Sequence, residues 1–235
     1  MIPKNIFQSW FTKDLHPVIQ AKIDEMKKLN PDYNHTIYTD EDMDNFVKEH
    51  YPGTIYDCFS KLNIIVAKVD FWRYLILYKY GGVYLDMDSS INIPLKDLIN
   101  EDDECIITKE GNPNLYVQWA LIYNANHPIL KRVIDLVVDN IQNNSFPNDI
   151  HKMTGPTVYR NALCHIHKNL FNEDLNWSQI HDWTDKTYEK NNIKYRIFSK
   201  DYKRMLSFKY REANLLYINK KHWRTEEKQK PLLKD

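Results

Sequence analysis

Apolar residues recur along the chain at two spacings, one typical of strands and one typical of helices. The strongest helical pattern runs from Lys61 to Tyr80, where apolar residues cover most of the circumference and predict a largely buried helix. Short apolar runs between turn residues predict strands that alternate with helices. We therefore expect an α/β fold with a mainly parallel sheet flanked by helices. The predicted strands are 2–9, 35–40, 83–87, 104–108 and 213–219, and the predicted helices are 16–29, 40–48, 61–80, 127–142 and one within 153–167.

Other stretches give weaker signals. Residues 88–95 predict a loop, and residues 115–124 are apolar without a period that separates strand from helix. Residues 168–200 are polar and irregular, so we assign no element there. Asp40 is the expected N-cap of the second helix.

A glycine pair interrupts the apolar pattern inside the stretch KYGGVYLDMDS, which covers residues 79–89. The chain contains only five glycines, and two of them are Gly81 and Gly82. Glycine adopts the left-handed C-cap conformation without steric cost, so the pair predicts the end of the long helix. The apolar residues that follow predict a core strand whose end carries Asp86 and Asp88.

Charge and composition exclude some classes of partner. The chain has 32 basic and 32 acidic residues, so no net field attracts nucleic acid. This balance does not exclude a local basic patch. No run of about 18 apolar residues and no signal-peptide pattern occurs. Three widely spaced cysteines suit free thiols. We expect a cytoplasmic protein, which a basic or aromatic patch could dock on a membrane as a peripheral protein.

Asp86 and Asp88 are the first candidate site residues. Side chains at positions i and i+2 of a strand point to the same side, so the two carboxylates share one place. Such a pair is best tolerated when a divalent cation or a proton lies between the carboxylates, and oxygen ligands suit Mn²⁺ or Mg²⁺. The alternative is a solvated loop without function. The apolar strand before the pair favours a ligand site at the end of a sheet strand.

Asp70 and Arg73 interrupt an apolar stretch of the long predicted helix. At positions i and i+3 they lie on one face, one turn apart. One interpretation is an internal ion pair. The other is that Arg73 contacts a phosphate or sugar hydroxyl while Asp70 accepts from a sugar hydroxyl. Charged groups on a buried helix need partners, and a ligand is one such partner.

Four further residues are weaker candidates. Trp10 ends the first strand and is either a core residue or a stacking surface for a base. Gly155 allows a ligand to approach the backbone closely, and Pro156 makes the turn rigid. The alternative is that the two residues only begin a helix. His222 follows the last predicted strand and is either a metal ligand or an exposed histidine.

Together these pieces resemble the DXD-containing sugar transferases of glycosyltransferase family 32, which includes fungal initiating mannosyltransferases. The matching stretches stand in the order of the family and span most of residues 2–160. They are IPKNIFQSW, NPDYNHTIYTDED, KVDFWRYLILYKYGGVYLDMD, VQWALIYNANHPIL and TGP. The resemblance implies a single GT-A domain over 1–235, with the nucleotide-sugar part in 1–125 and the acceptor side in 126–235.

The resemblance also implies roles for individual residues. Trp10 would stack on the nucleotide base, and Asp70 and Arg73 would hold the donor sugar. Asp86 would contact ribose or sugar, and Asp88 would bind the metal that bridges the diphosphate. The implied metal ligands are Asp86, Asp88 and His222, and the implied nucleotide and sugar contacts also include Tyr84, Gly155 and Pro156. The implied cofactor is Mn²⁺ or Mg²⁺.

The chain departs from the family pattern in two places. Relatives often carry a His-His-aromatic segment followed by Ser-Trp, whereas this chain has Lys221 before His222 and lacks the Ser-Trp. Lys221 and Arg224 are alternative diphosphate contacts. Phe7 stands where many relatives have histidine, so the resemblance does not assign the residues that contact the acceptor.

Three functions follow. The first is metal-dependent, retaining transfer of a hexose from a UDP- or GDP-sugar to a glycan or glycolipid. The second is transfer to a protein. The third is a nucleotide-sugar-binding module without turnover, which the altered C-terminal segment favours and the intact carboxylates oppose.

Overall fold

The computed structural model describes residues 1–217 and 230–234, which form a sheet-centred α/β fold. The helices are α1 (Pro17–Leu29), α2 (Asp40–His50), α3 (Thr54–Lys61), α4 (Ile65–Tyr80), α5 (Pro128–Gln142), α6 (Ile150–Met153) and α7 (Pro156–Phe171). The strands are β1 (Asn5–Ser9), β2 (Asn34–Tyr38), β3 (Gly82–Leu85), β4 (Ser89–Ile91), β5 (Cys105–Ile107), β6 (Ala120–Tyr123), β7 (Lys186–Lys190), β8 (Ile193–Ile197) and β9 (Leu206–Phe208).

Seven of the described strands form the central sheet, in the order β2-β1-β3-β6-β5-β8-β7. β1 pairs in parallel with β2 and β3, and β5 pairs in parallel with β8. β6 and β7 are antiparallel to their neighbours. Five of the seven strands therefore run in one direction, which confirms the mainly parallel sheet. β4 and β9 form a separate two-stranded sheet.

Two apolar layers cover the two faces of the sheet. Alternate strand residues enter opposite layers, as Ile6 and Phe7 of β1 do. One layer contains α2, α3, α4, α5 and α7, and the other contains α1 and the segment around β9. Helix α4 is buried from Asp70 through Leu77. This burial explains why the α4 sequence is apolar on nearly all sides.

The glycine pair joins α4 to β3 where no side chain fits. Gly81 has φ of 63° and Gly82 has φ of 118°, both in the region that favours glycine. A Cβ on Gly81 would lie 2.6 Å from the backbone N of Ala125, and one on Gly82 would lie 2.6 Å from the carbonyl O of Asn5. The pair is therefore required both for the turn and for close packing of β3 against β1.

Two helix starts differ from the sequence prediction. The helix expected from Lys61 begins at Ile65, because the chain is extended between α3 and α4 and the amide of Asn63 donates to the carbonyl of Leu232 at 2.9 Å. This long-range contact leaves no local signal. The N-cap of α2 is Thr39, which forms a capping box with Asp42, and Asp40 is the first helical residue.

Three further stretches differ from the sequence prediction. The described part of the strand expected at 213–219 is a 3₁₀ helix over Arg211–Tyr217, in which Ala213 and Leu216 are buried at a spacing of three rather than two. Residues 218 and 219 lie outside the described residues. The loop expected at 88–95 contains β4, which pairs with β9. The unassigned stretch contains β7 and β8. None of the described helices has the length and apolar character that crossing a bilayer requires.

Candidate functional site

The candidate residues gather at the carboxyl ends of β1 and β3. Trp10 directly follows β1, and Asp86 directly follows β3. Helix α4 packs beside these strands and carries Asp70 and Arg73 on its buried face. Because parallel strands end at one edge of the sheet, residues distant in sequence meet there.

Arg73 links the helix to the motif at the end of β3. Its Nη2 atom lies 3.1 Å from Asp70 Oδ1 and 3.2 Å from Asp86 Oδ1. The guanidinium also lies over the ring of Tyr84, 4.6 Å from its centroid. The internal ion pair between Asp70 and Arg73 therefore exists, and the same guanidinium also reaches the Asp-x-Asp motif.

A closed ring of contacts holds Asp70 and Arg73. Arg73 Nη1 donates to the carbonyl of Gln118 at 3.1 Å, and the Gln118 amide donates to the Tyr74 hydroxyl. Tyr74 donates to the carbonyl of Thr154 at 3.1 Å, and the Thr154 hydroxyl donates to Asp70 Oδ2 at 3.2 Å. All five residues are buried. Both oxygens of Asp70 are thus engaged, so the side chain has a defined orientation.

The ring and the adjoining Asp86 together hold more negative than positive charge. One guanidinium lies between two carboxylates, Asp70 and Asp86. Burial raises the pKa of Asp70 to about 6, and the charge of Arg73 opposes that shift. Burial also raises the pKa of Asp86, against Arg73 and the hydrogen bond from Tyr84. A ligand that brings hydrogen-bond donors or positive charge would stabilise this arrangement.

The backbone around Asp86 is fixed from several sides. Its amide donates to the carbonyl of Trp119 at 2.7 Å, and its carbonyl accepts from Gln8 Nε2 at 3.2 Å. Gln8 in turn contacts His35 Nε2 through Oε1 at 2.8 Å. The Tyr84 hydroxyl donates to Asp86 Oδ1 at 2.5 Å. The carboxylate of Asp86 is therefore oriented towards Arg73.

Asp88 has different partners, which come from the C-terminal part of the fold. Tyr217 donates its hydroxyl proton to Asp88 Oδ2 at 3.2 Å. The Tyr210 amide donates to the Asp88 carbonyl, and the Tyr210 hydroxyl donates to the carbonyl of Met87, both at 3.2 Å. Burial, followed by the negative charge of Asp86, raises the pKa of Asp88 to about 6. The two carboxylates thus lie near each other but face separate surroundings.

The donor set fits a divalent cation. The described ranges, 1–217 and 230–234, contain no group of three or more His, Cys, Asp or Glu side chains arranged to hold a metal ion. Sites of the Mg²⁺ type use one or two carboxylates and complete their coordination with water and substrate phosphates. Asp86 and Asp88 supply that number of oxygen donors, and their mutual repulsion is the kind that a cation relieves.

The remaining predicted residues have defined positions. The Trp10 ring lies in edge contact with Tyr217, 5.9 Å between centroids. Gly155 lies against Asp70, since a Cβ on it would be 3.2 Å from Asp70 Oδ2. Pro156 begins α7. The Thr-Gly-Pro motif is therefore part of the wall around Asp70, whereas the roles of Trp10 and Pro156 as ligand contacts stay predictions.

His222, Lys221 and Arg224 lie outside the described residues. Their assignment as metal or diphosphate contacts stays a prediction.

Sequence reasoning missed several residues that complete the site. The missed residues are Tyr74, Gln118, Thr154, Tyr210 and Tyr217. Gln118 left a signal, because it is a polar residue inside the apolar stretch 115–124. The tyrosines left none, since the chain has 16 of them.

Comparison with known proteins tests the resemblance inferred from the sequence motifs. Residues 17–105 match the family model of the glycosyltransferase sugar-binding region containing a DXD motif. The chain resembles DXD-motif glycosyltransferases. This outcome confirms the resemblance inferred from the sequence motifs.

Two curated fungal proteins illustrate the similarity. Inositol phosphoceramide mannosyltransferase 3 of Schizosaccharomyces pombe is 29% identical over 192 residues, which cover 80% of this chain and 52% of that protein. The initiation-specific alpha-1,6-mannosyltransferase of Candida albicans is 25% identical over 228 residues, which cover 77% of this chain and 59% of that protein. The chain thus spans little more than half the length of these relatives.

A solved structure supports the fold. The PaToxG glycosyltransferase superposes with a TM-score of 0.55 at 21% identity, over 73% of this chain and 71% of that one. At this identity the likeness concerns the fold alone, and it confirms the expected GT-A type of α/β fold.

Proposed function

We propose that the chain transfers a hexose from a nucleoside-diphosphate sugar to a glycan or glycolipid acceptor, with retention at the anomeric carbon. The observation that carries this proposal is the buried Arg73 guanidinium between Asp70 and Asp86, with Asp88 two residues after Asp86 in the chain. Both curated relatives are named as mannosyltransferases, so mannose is the first sugar to test.

The ring around Asp70 suits recognition of a sugar. A carboxylate of fixed orientation accepts hydrogen bonds from sugar hydroxyls, and a fixed guanidinium donates to hydroxyl or phosphate oxygens. Since the ring is closed by its own hydrogen bonds, it needs little rearrangement when a ligand binds. Asp70 and Arg73 are therefore the proposed sugar contacts, with Gly155 packed closely against Asp70.

The residues Asp86, Asp88 and Trp10 suit binding of the nucleoside diphosphate. Asp88 and Asp86 would hold Mn²⁺ or Mg²⁺, which when bound neutralises charge on the departing nucleoside diphosphate. Trp10, at the end of β1, would stack on the base. A front-face displacement, in which the leaving group and the incoming oxygen share one side of the sugar, requires no nucleophile from the protein. The acceptor would approach from the side of residues 126–235.

The test is release of nucleoside diphosphate from a panel of UDP- and GDP-sugars, GDP-mannose included, with Mn²⁺ or with EDTA. We expect release from one donor, loss of release in EDTA, and a loss of about a thousandfold in the Asp88→Asn variant. Anomeric configuration of the product, read by NMR, tests retention.

Two outcomes would contradict the proposal. Full activity in Asp88→Asn would exclude Asp88 as a metal ligand. Binding of UDP or GDP without release, even with a glycan and a glycolipid acceptor present, would assign the chain as a nucleotide-sugar-binding module.

Transfer to protein instead of glycan would be detected by mass spectrometry of the acceptor.

A further inference from the structure

One segment of the chain concentrates positive charge beside the candidate site. Residues 200–211 contain five exposed cations and one acid, Asp201, whereas the whole chain has zero net charge. No salt bridge among the described residues involves any of the five. The cations are Lys200, Lys203, Arg204, Lys209 and Arg211.

A left-handed turn presents part of this charge. Residues 201–204 have φ values of 46°, 52°, 49° and 63°, which is unfavourable for side chains of L-residues. The turn is held from inside by Tyr202, which is buried and donates its hydroxyl proton to the carbonyl of Ala120 at 2.9 Å. Lys203 and Arg204 follow on the exposed side. Such strain persists where the surroundings determine the conformation, and it often marks functional segments.

An apolar side chain stands among the cations. Phe208 is 44% exposed, and Lys209 Nζ lies 5.1 Å from its ring centroid. The inner face of the ring stacks on Trp119 at 5.6 Å between centroids. Phe208 also pairs with Ser89, the residue after Asp88, so this surface adjoins the site. Phe11 is also 44% exposed and follows Trp10 at the same edge of the sheet.

We propose that residues 200–211 dock the protein on the surface of an anionic lipid bilayer. The cations face lipid phosphates and carboxylates, and Phe208 enters the interface between headgroups and acyl chains. Clustered cations alone also suit a nucleic acid. The exposed aromatic side chain among them favours a bilayer, because aromatic and basic side chains together are typical of the membrane interface.

Docking in this way determines the acceptor class. Because β9 pairs with the strand that follows Asp88, a bilayer that contacts Phe208 lies next to the proposed diphosphate side. The acceptor would then be a sugar or hydroxyl carried on a lipid headgroup. This last step rests on the proposed function, whereas docking itself does not.

The experiment is co-sedimentation of the whole chain with vesicles. Neutral phosphatidylcholine vesicles are compared with vesicles that contain about 30% phosphatidylserine. We expect binding to the anionic vesicles that weakens as salt increases. The double variant Lys203→Glu with Arg204→Glu should bind at least about 25-fold more weakly, because the loss of each cation near an anionic surface weakens binding roughly fivefold. Phe208→Ala should weaken binding about fivefold.

The matched control reverses two other neighbouring exposed cations. Lys27 and Lys28 lie in the last turn of α1, outside residues 200–211, and form no salt bridge with a described residue. The double variant Lys27→Glu with Lys28→Glu carries the same change of net charge and should bind anionic vesicles like the wild type. Circular dichroism of all variants reports that each remains folded.

Several results would overturn the docking surface. These are absence of vesicle binding, equal binding to neutral vesicles, or equal weakening by the α1 control. Tight binding to single-stranded RNA that vesicles do not displace would assign the segment to a nucleic acid instead. The vesicle experiment contains no nucleotide sugar, so an inactive enzyme that still docks would refute the proposed function and leave the docking surface supported.

Discussion

The two aspartates of the Asp-x-Asp motif lie in contrasting surroundings. Asp86 faces Arg73 and adjoins the buried ring, whose members come from α4, from Gln118 before β6 and from Thr154 after α6. Asp88 faces Tyr217, a partly exposed residue 129 positions later in the chain. One region is closed by internal contacts, and the other depends on a segment that carries exposed charge.

This contrast suggests that the ring and Asp88 have different roles. A closed ring is preorganised, so the proposed sugar side keeps its geometry without a ligand. Among the described residues, Tyr217 donates the side-chain hydrogen bond to the Asp88 carboxylate, and a carboxylate can exchange such a phenol for a cation at small cost. We therefore expect stability to depend on the ring and metal dependence to reside at Asp88.

The largest effect is expected from Arg73→Ala. Removing the guanidinium leaves Asp70 and Asp86 buried without their cation, which should cost about 3–5 kcal/mol of unfolding free energy. Asp88→Asn should change it by less than about 1 kcal/mol, because asparagine can still accept from Tyr217 and carries no buried charge. Urea denaturation in EDTA measures both. Equal losses of unfolding free energy in the two variants would contradict the contrast between Asp86 and Asp88.

A pH series tests the excess charge of the ring. Burial raises the pKa of Asp70 from 3.8 to about 6 in the folded protein. The folded state therefore binds more protons than the unfolded state between these values, so this group's contribution to stability is largest below pH 4 and falls as pH rises to 6. Asp70→Asn does not titrate at position 70.

The measurement is urea denaturation of both proteins from pH 4 to pH 7. The unfolding free energy of wild type minus that of Asp70→Asn should fall by up to about 3 kcal/mol across this range. A difference that rises with pH would show that the ion pair with Arg73 outweighs burial.

The regular elements of the fold were largely predictable because their signals are local. Helix α4 shows its burial through apolar residues on all sides, and the glycine pair marks its end. The pairing of Asp70 with Arg73 follows from helical spacing, and the position of Asp86 follows from the end of a core strand.

The closure of the site was not predictable because it depends on long-range contacts. Thr154 reaches Asp70 across 84 positions, and Gln118 reaches Arg73 across 45. The same reason explains the missed pairing of β4 with β9. The left-handed turn at 201–204 has no glycine to indicate it, since Tyr202 holds it through a tertiary contact.

Tyr74→Phe tests the ring without touching a proposed ligand contact. Its hydroxyl donates to Thr154 and accepts from Gln118, so its loss leaves both without their partner. We expect the positions of Asp70 and Arg73 to loosen and kcat to fall about 10- to 100-fold. The cost in stability should be about 1–3 kcal/mol.

Tyr123→Phe is the matched control. Tyr123 is equally buried, and its hydroxyl bonds to that of Tyr159 at 2.7 Å rather than to a member of the ring around Asp70. It should lose similar stability while kcat stays near the wild-type value. If both variants lose kcat alike, the ring acts only through overall stability.

The smallest effect is expected from Tyr217→Phe. The phenol donates to Asp88 over 3.2 Å and is partly exposed, so stability should change by less than about 1 kcal/mol. If the phenol only occupies an oxygen that a cation would take, Mn²⁺ should bind as tightly or up to about threefold more tightly. Titration of Mn²⁺ by electron paramagnetic resonance measures this directly, with Asp88→Asn as the blank. A large loss of Mn²⁺ affinity would mean that Tyr217 orients Asp88 for the cation. The surroundings of Asp88 would then be as preorganised as the ring.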